Sequence, residues 1–130
     1  LNADLDIRHK RRSLTPQEVH SLIQSAANSD KKIGGYTGEL RARAYLVSYA
    51  TGLRRREMGS LTPRSFRFSS EGTTITIEAA CSKHRREDTI PLREEVSQSL
   101  RPWIESLGPE EKLFPSFEIK QSWKMVRKDL

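Results

Sequence analysis

The sequence has one cysteine, Cys81, so no disulfide can form within the chain and an oxidising compartment gains no support. No apolar run is long enough to span a membrane, and the N-terminus lacks the charged and apolar regions of a secretory signal. No glycine-rich phosphate loop occurs, which argues against a nucleotide-driven enzyme. Cys81 and His84 make a lone C-x-x-H with no second pair, so no zinc site is expected. Internal repeats and low-complexity tracts are lacking too. The expectation is a cytoplasmic protein with no metal, no cofactor and no membrane partner. Leu1 is not an initiator methionine, so a chain processed or excised from something longer is expected.

Positive charge is what the sequence has in excess. The 130 residues carry 23 Lys and Arg against 17 Asp and Glu, a net charge of +6 with a pI of about 9.8. Such an excess favours a polyanionic partner such as nucleic acid. With 35% hydrophobic residues, the length suits one domain, or a large piece of one, with a modest core.

Residues 1–13 are polar, carry the run Arg8-His9-Lys10-Arg11-Arg12 and read as a basic linker or arm. A helix start follows: Thr15 can cap, Pro16 suits the first helical position, and Glu18 completes a capping box. Leu14 and Val19 are placed for a hydrophobic staple, and Val19, Leu22, Ile23 and Ala26 mark one apolar face. Thr37 is the cap of a second helix. Its apolar residues, Tyr45 and Tyr49 among them, spread around the axis as in a helix buried on most sides, and Thr51-Gly52 ends it. A short third helix is expected from about Leu53 to Leu61, stopped by Thr62-Pro63.

The period then becomes two. Phe66 and Phe68 alternate, a Ser69-Ser70-Glu71-Gly72 turn follows, and Ile75, Ile77 and Ala79 alternate with Thr74, Thr76 and Glu78. Ile90 and Leu92 complete a small three-stranded antiparallel sheet with a basic loop, 82–88, at one end. Val96, Leu100, Trp103, Ile104 and Leu107 restore helical spacing; Pro102 leaves open one helix or two short ones. Ile119, Trp123, Val126 and Leu130 continue a helical stripe to the final residue without a stop signal. The expected fold class is α+β, mostly helical, and truncated.

Three basic clusters stand out: residues 8–12, Arg54-Arg55-Arg56, and Lys83-His84-Arg85-Arg86. Arg54, Met58 and Leu61 share i, i+4, i+7 spacing, which puts Arg54 on the apolar side of the third helix, with Arg55 and Arg56 projecting toward solvent. An inward guanidinium needs an anion, either an internal carboxylate or a bound phosphate, for which its fork is shaped. The third cluster lies at a hairpin tip, either a solvated turn or a reach toward a phosphate.

Taken in order, these residues resemble the tyrosine recombinase (phage integrase) family. Thr51-Gly52-Leu53-Arg54, then Glu57 and Leu61, looks like its first arginine box. Lys83, eight residues before the proline of Ile90-Pro91-Leu92, looks like its β-hairpin lysine. Arg11-Arg12-Ser13-Leu14-Thr15-Pro16-Gln17-Glu18 is similar to the opening of the catalytic domain. Leu113-Phe114-Pro115 and Val126-Arg127-Lys128-Asp129-Leu130 are similar to segments just before the second box. The resemblance covers essentially the whole chain, with 14–130 as the N-terminal part of that domain, cut before the second box.

The resemblance implies DNA integration or site-specific recombination by a metal-free transesterification through a 3′-phosphotyrosine. Arg54 would bind a non-bridging oxygen of the scissile phosphate, Lys83 would protonate the leaving 5′-oxygen, and Glu57 would be structural support. By position, Arg12, Arg85 and Arg86 would add DNA contacts. The partner would be double-stranded DNA in a prokaryotic cytosol, the parent protein a tetramer on two duplexes. The H-x-x-R box and the nucleophilic tyrosine have no match here; His9-Lys10-Arg11-Arg12 fits the string but precedes the first box. Tyr36, Tyr45 and Tyr49 all precede Arg54. The 130 residues alone are therefore expected to bind DNA without cutting it, and to self-associate through exposed apolar surface. Two alternatives are a non-catalytic DNA-binding module of a degenerate recombinase, and a basic domain with a protein partner and Arg54 paired internally.

Overall fold

The computed structural model of the chain describes residues 14–81, 86–117 and 122–129. Helix α1, Pro16–Ala27, starts as its sequence dictates: Thr15 Oγ1 accepts from the Glu18 N–H at 3.1 Å, and the Glu18 carboxylate accepts from the Thr15 N–H at 2.9 Å. It buries Val19, Leu22 and Ala26, with Leu14 packed half-buried against the core. Helix α2, Gly38–Thr51, begins with Thr37 Oγ1 accepting from the Leu40 N–H and lies against α1.

After the short α3, Arg55–Ser60, a 3-10 turn at Pro63–Ser65 leads into the sheet. Its strands are β1 (Phe66–Ser69), β2 (Gly72–Ile77) and β3 (Asp88–Leu92), all antiparallel in the order β1-β2-β3. The register pairs Phe66 with Ile75 and Ile75 with Ile90, so the apolar side chains of neighbouring strands meet on one face. Thr73, Ile75 and Ile77 point inward and Thr74 and Thr76 outward. Ala79, expected to continue this alternation, is exposed beyond the strand end. A turn closed by the Cys81 N–H on the Glu78 carbonyl has taken over there.

Helix α4, Glu94–Glu105, is one helix and not two. Pro102 lies in its last turn, and both it and Gln98, whose carbonyl it deprives of the usual helical donor, are exposed. The helix buries Leu100 and Ile104, and a buried hydroxyl pair, Thr73 Oγ1 to Ser97 Oγ at 2.6 Å, ties it to β2. Arg43 of α2 lies 4.6 Å over the Trp103 ring. The core between these elements includes Val47, Met58, Leu61, Ile75, Leu113 and Phe114, each no more than 1% exposed.

Helix α5, Ser122–Asp129, docks against α1. Among its described side chains Met125 is buried and Val126 half-buried; Ile119, the Trp123 side chain and Leu130 of the expected stripe lie outside the described residues. The helix-two reading fails at Tyr49. That side chain is 53% exposed, beside Leu46, Ala50 and Val96, because α4 covers this face of α2 only partly.

Candidate nucleic-acid interface

The turn from α2 to α3 gives each of its residues a separate task. Thr51 Oγ1 donates to the Val47 carbonyl at 2.7 Å and accepts from the Leu53 N–H at 3.2 Å. Gly52 takes the left-handed conformation, φ +70°, and its N–H reaches the Ser48 carbonyl, ending α2. Leu53 is buried and pins the turn to the core. Arg54 then stands in extended conformation as the N-cap of α3, its carbonyl accepting from Met58.

This placement corrects the sequence expectation for Arg54. An i, i+4, i+7 spacing implies a shared face only inside a helix, and Arg54 stands one residue before helical geometry begins. Its side chain is exposed, whereas Met58 and Leu61 are buried. Glu57, 8% exposed, accepts the Arg54 backbone N–H on Oε1 at 2.9 Å. The carboxylate therefore holds the backbone of Arg54 and leaves the guanidinium outside. Among the described residues no carboxylate makes an ion pair with that guanidinium. Arg55 and Arg56 are exposed as expected.

Lys83 and Arg85 lie outside the described residues, as does Arg12; Arg86 is exposed. What the structure does place is the root of their hairpin. Ile77 pairs with Asp88, and Cys81, half-buried, shares a cleft of about 550 Å³ with Ser60, Thr62 and Thr76. Ser60 is the last residue of α3, so the hairpin connection starts beside the helix that Arg54 caps. Among the described residues no group of His, Cys, Asp and Glu could hold a metal ion. No helix there is long and apolar enough to cross a membrane.

A second polar cluster lies inside the fold. Arg41, fully buried, donates Nε and Nη2 to the two carboxylate oxygens of Asp129 at 2.8 and 2.9 Å. Its Nη1 donates to the carbonyls of Lys31 and Tyr36, and the Tyr45 hydroxyl donates to Asp129 at 2.6 Å. Burial works against ionising Asp129. The hydrogen bonds from Arg41 and Tyr45 and the Arg41 charge outweigh it, holding the carboxyl below its ordinary range. Burial, and then the bond and charge of Asp129, raise the Tyr45 phenol well above its usual value. The bond to Asp129 likewise raises Arg41 against the effect of burial. Sequence reasoning placed Tyr45 in the core and missed both partners.

The structure thus holds an outward arginine on a Thr-Gly-Leu-Arg turn in a helix-rich α+β body with a three-stranded sheet. The family model described as the phage integrase family matches residues 12–129, and the chain belongs to that family. Its general field is DNA recombination and integration, with DNA as the partner. Neither a curated protein nor a solved structure matches the chain.

Proposed function

We propose that this chain supplies the first arginine and the hairpin lysine of a centre that breaks and rejoins DNA without a metal. In that reaction a tyrosine oxygen attacks phosphorus, forming a 3′-phosphotyrosine, and the 5′-oxygen leaves as a hydroxyl after taking a proton. A 5′-hydroxyl from a second strand then reverses the step. Negative charge grows on the non-bridging oxygens in the transition state, so a fixed guanidinium there favours it over the ground state. Arg54 is that guanidinium. The observation that carries the reading is its outward presentation, on a turn tied by Thr51, Gly52, Leu53 and Glu57, with no internal carboxylate pair among the described residues.

Lys83 donates the proton to the leaving 5′-oxygen, as a general acid. Two geometric facts support its pairing with Arg54. The rise from Arg54 to Ser60 is about 9 Å along α3, and Ser60 shares its cleft with Cys81. The connection that carries Lys83 leaves the described residues at Cys81, on that same cleft. Arg12, Arg85 and Arg86 add backbone contacts by charge.

The 130 residues alone bind DNA without cutting it. No tyrosine follows Arg54 in the sequence. The Tyr36 and Tyr45 hydroxyls are held by the Pro115 carbonyl and Asp129. The test uses a recombinase that carries these residues together with an H-x-x-R box and a tyrosine, scored by covalent protein–DNA adducts. Arg54→Ala is expected to reduce adduct formation by about 100-fold or more while most duplex binding remains. Lys83→Ala is expected to slow cleavage and to be rescued by a substrate with a better 5′ leaving group; without rescue, the general-acid role fails.

A further inference from the structure

The Arg41–Asp129 pair also arranges the surface above it. One guanidinium bonds both to the Lys31 carbonyl and to the Asp129 carboxylate, so the α1–α2 loop and the last turn of α5 become neighbours. Each brings exposed cations: Lys31 and Lys32 from the loop, Lys128 from the helix. Lys124 and Arg127 share the outer face of α5 with Lys128 at helical spacing.

On two other helices cations and acids alternate. On α2 Glu39 faces Arg43, and on α4 Arg101 faces Glu105, opposite charges one turn apart. On α5 the one acid, Asp129, is turned inward to Arg41, and Lys128 beside it is exposed. Within the loop, Asp30 is the one acid between Asn28 and Thr37. Lys31, Lys32 and Lys128 are thus exposed cations brought close to one another by the buried pair, and a polyanion lying across them is attracted to all three.

The patch lies at the far end of α2 from Arg54, since the ten residues from Arg41 to Thr51 rise about 15 Å. Over that length a DNA duplex carries about nine phosphate charges, enough to meet both ends of the helix. We infer that Lys31, Lys32 and Lys128 form a second contact for the phosphate backbone of duplex DNA, apart from the Arg54 turn. The buried pair fixes the backbone on both sides of the patch beforehand, so binding has mainly side chains to order. Such a contact adds affinity and orientation without reading sequence. The inference rests on DNA being the family's partner, not on the roles given to Arg54 or Lys83.

The test is anisotropy titration of a short labelled duplex of arbitrary sequence with the 130-residue chain, from about 50 to about 200 mM salt. Lys31→Ala/Lys32→Ala/Lys128→Ala changes only exposed side chains, and its circular dichroism and melting are checked against the unaltered chain. The expected result is a fall of about 2 to 3 in the slope of log K against log salt, with binding weakened about tenfold or more at low salt. Unchanged slope and affinity would overturn the inference, as would failure of the unaltered chain to bind duplex, or binding to anionic vesicles alone. Arg54→Ala separates the two sites. The Arg54 reading expects that variant to keep most duplex binding, so loss of binding confined to the triple variant supports this inference, and a triple variant that binds like the unaltered chain ends it without touching the Arg54 reading.

Discussion

Arg41 and Asp129, 88 residues apart, form a two-pronged ion pair shielded from solvent, at 0% and 4% exposure. The contact joins the first turn of α2 to the last turn of α5. This polar network is therefore part of what docks α5. Breaking such a pair leaves a buried charge without its partner, so Arg41→Ala or Asp129→Ala is expected to cost about 3–5 kcal/mol. Arg41→Met with Asp129→Leu removes both charges and should recover much of that loss. Urea denaturation of the three variants measures it, and a double variant as unstable as either single one would show that the helix needs the ions themselves.

The same cluster predicts where stability depends on pH. The folded state holds Asp129 below the ordinary aspartate value. Its contribution is therefore complete above about pH 4 and is lost as pH falls through the lower folded value. Tyr45 has the opposite sign: its phenol is raised in the fold, so its contribution is complete below about pH 10 and lost as pH rises beyond that. Thermal melts across both limbs should show Asp129→Asn flattening the acid side and Tyr45→Phe the alkaline side. An alkaline limb that Tyr45→Phe leaves unchanged would place the titrating group elsewhere.

Much of the fold was legible from the sequence because its signals are local. The Thr15 and Thr37 caps, the Gly52 stop and the period-two run through Ile75 and Ile77 each depend on residues a few places apart. What was missed depends on tertiary contact. Arg41 and Tyr45 are one helical turn apart, a pattern that points to no partner, and nothing in a single chain says that Asp129 returns to them. Tyr49 looked like core because its residue type suits one; its exposure depends on how α4 crosses α2. For Arg54 the motif was readable, but its orientation turned on a one-residue boundary between cap and helix. Lys83 gained its place from family resemblance, and its position lies outside the described residues.

Two glycines on the path to Arg54 are expected to fail for different reasons. A methyl at Gly38 would run into the carbonyl oxygens of Ala26 and Ser29, where α1 ends against α2. These are backbone atoms with little room to give, so Gly38→Ala should cost about 3 kcal/mol. At Gly52 a methyl meets nothing within 4 Å, and the penalty comes only from φ +70°. Gly52→Ala should therefore cost about 1 kcal/mol, and Gly52→Asn less, since asparagine tolerates that conformation. Denaturation midpoints rank the three; Gly52→Ala falling below Gly38→Ala would mean that the turn is held more tightly than its backbone angle implies.

The contrast between Arg54 and Glu57 decides whether the arginine is there for the fold or for a ligand. Arg54 is exposed and gives the fold only backbone groups, which alanine also has; Arg54→Ala should therefore leave stability within about 0.5 kcal/mol. Glu57 is buried and accepts the Arg54 N–H, so Glu57→Ala leaves that donor without its partner and should cost about 1–2 kcal/mol. Glu57→Gln keeps an oxygen acceptor in the same place and should recover part of the loss. The ligand role makes a separate demand: Arg54→Lys keeps the charge but loses the planar fork, so it should bind DNA nearly as well as the unaltered residue yet support cleavage poorly. A large loss of stability in Arg54→Ala would make the guanidinium part of the scaffold, and the phosphate contact proposed for it would then have to belong to a neighbour such as Arg55 or Arg56.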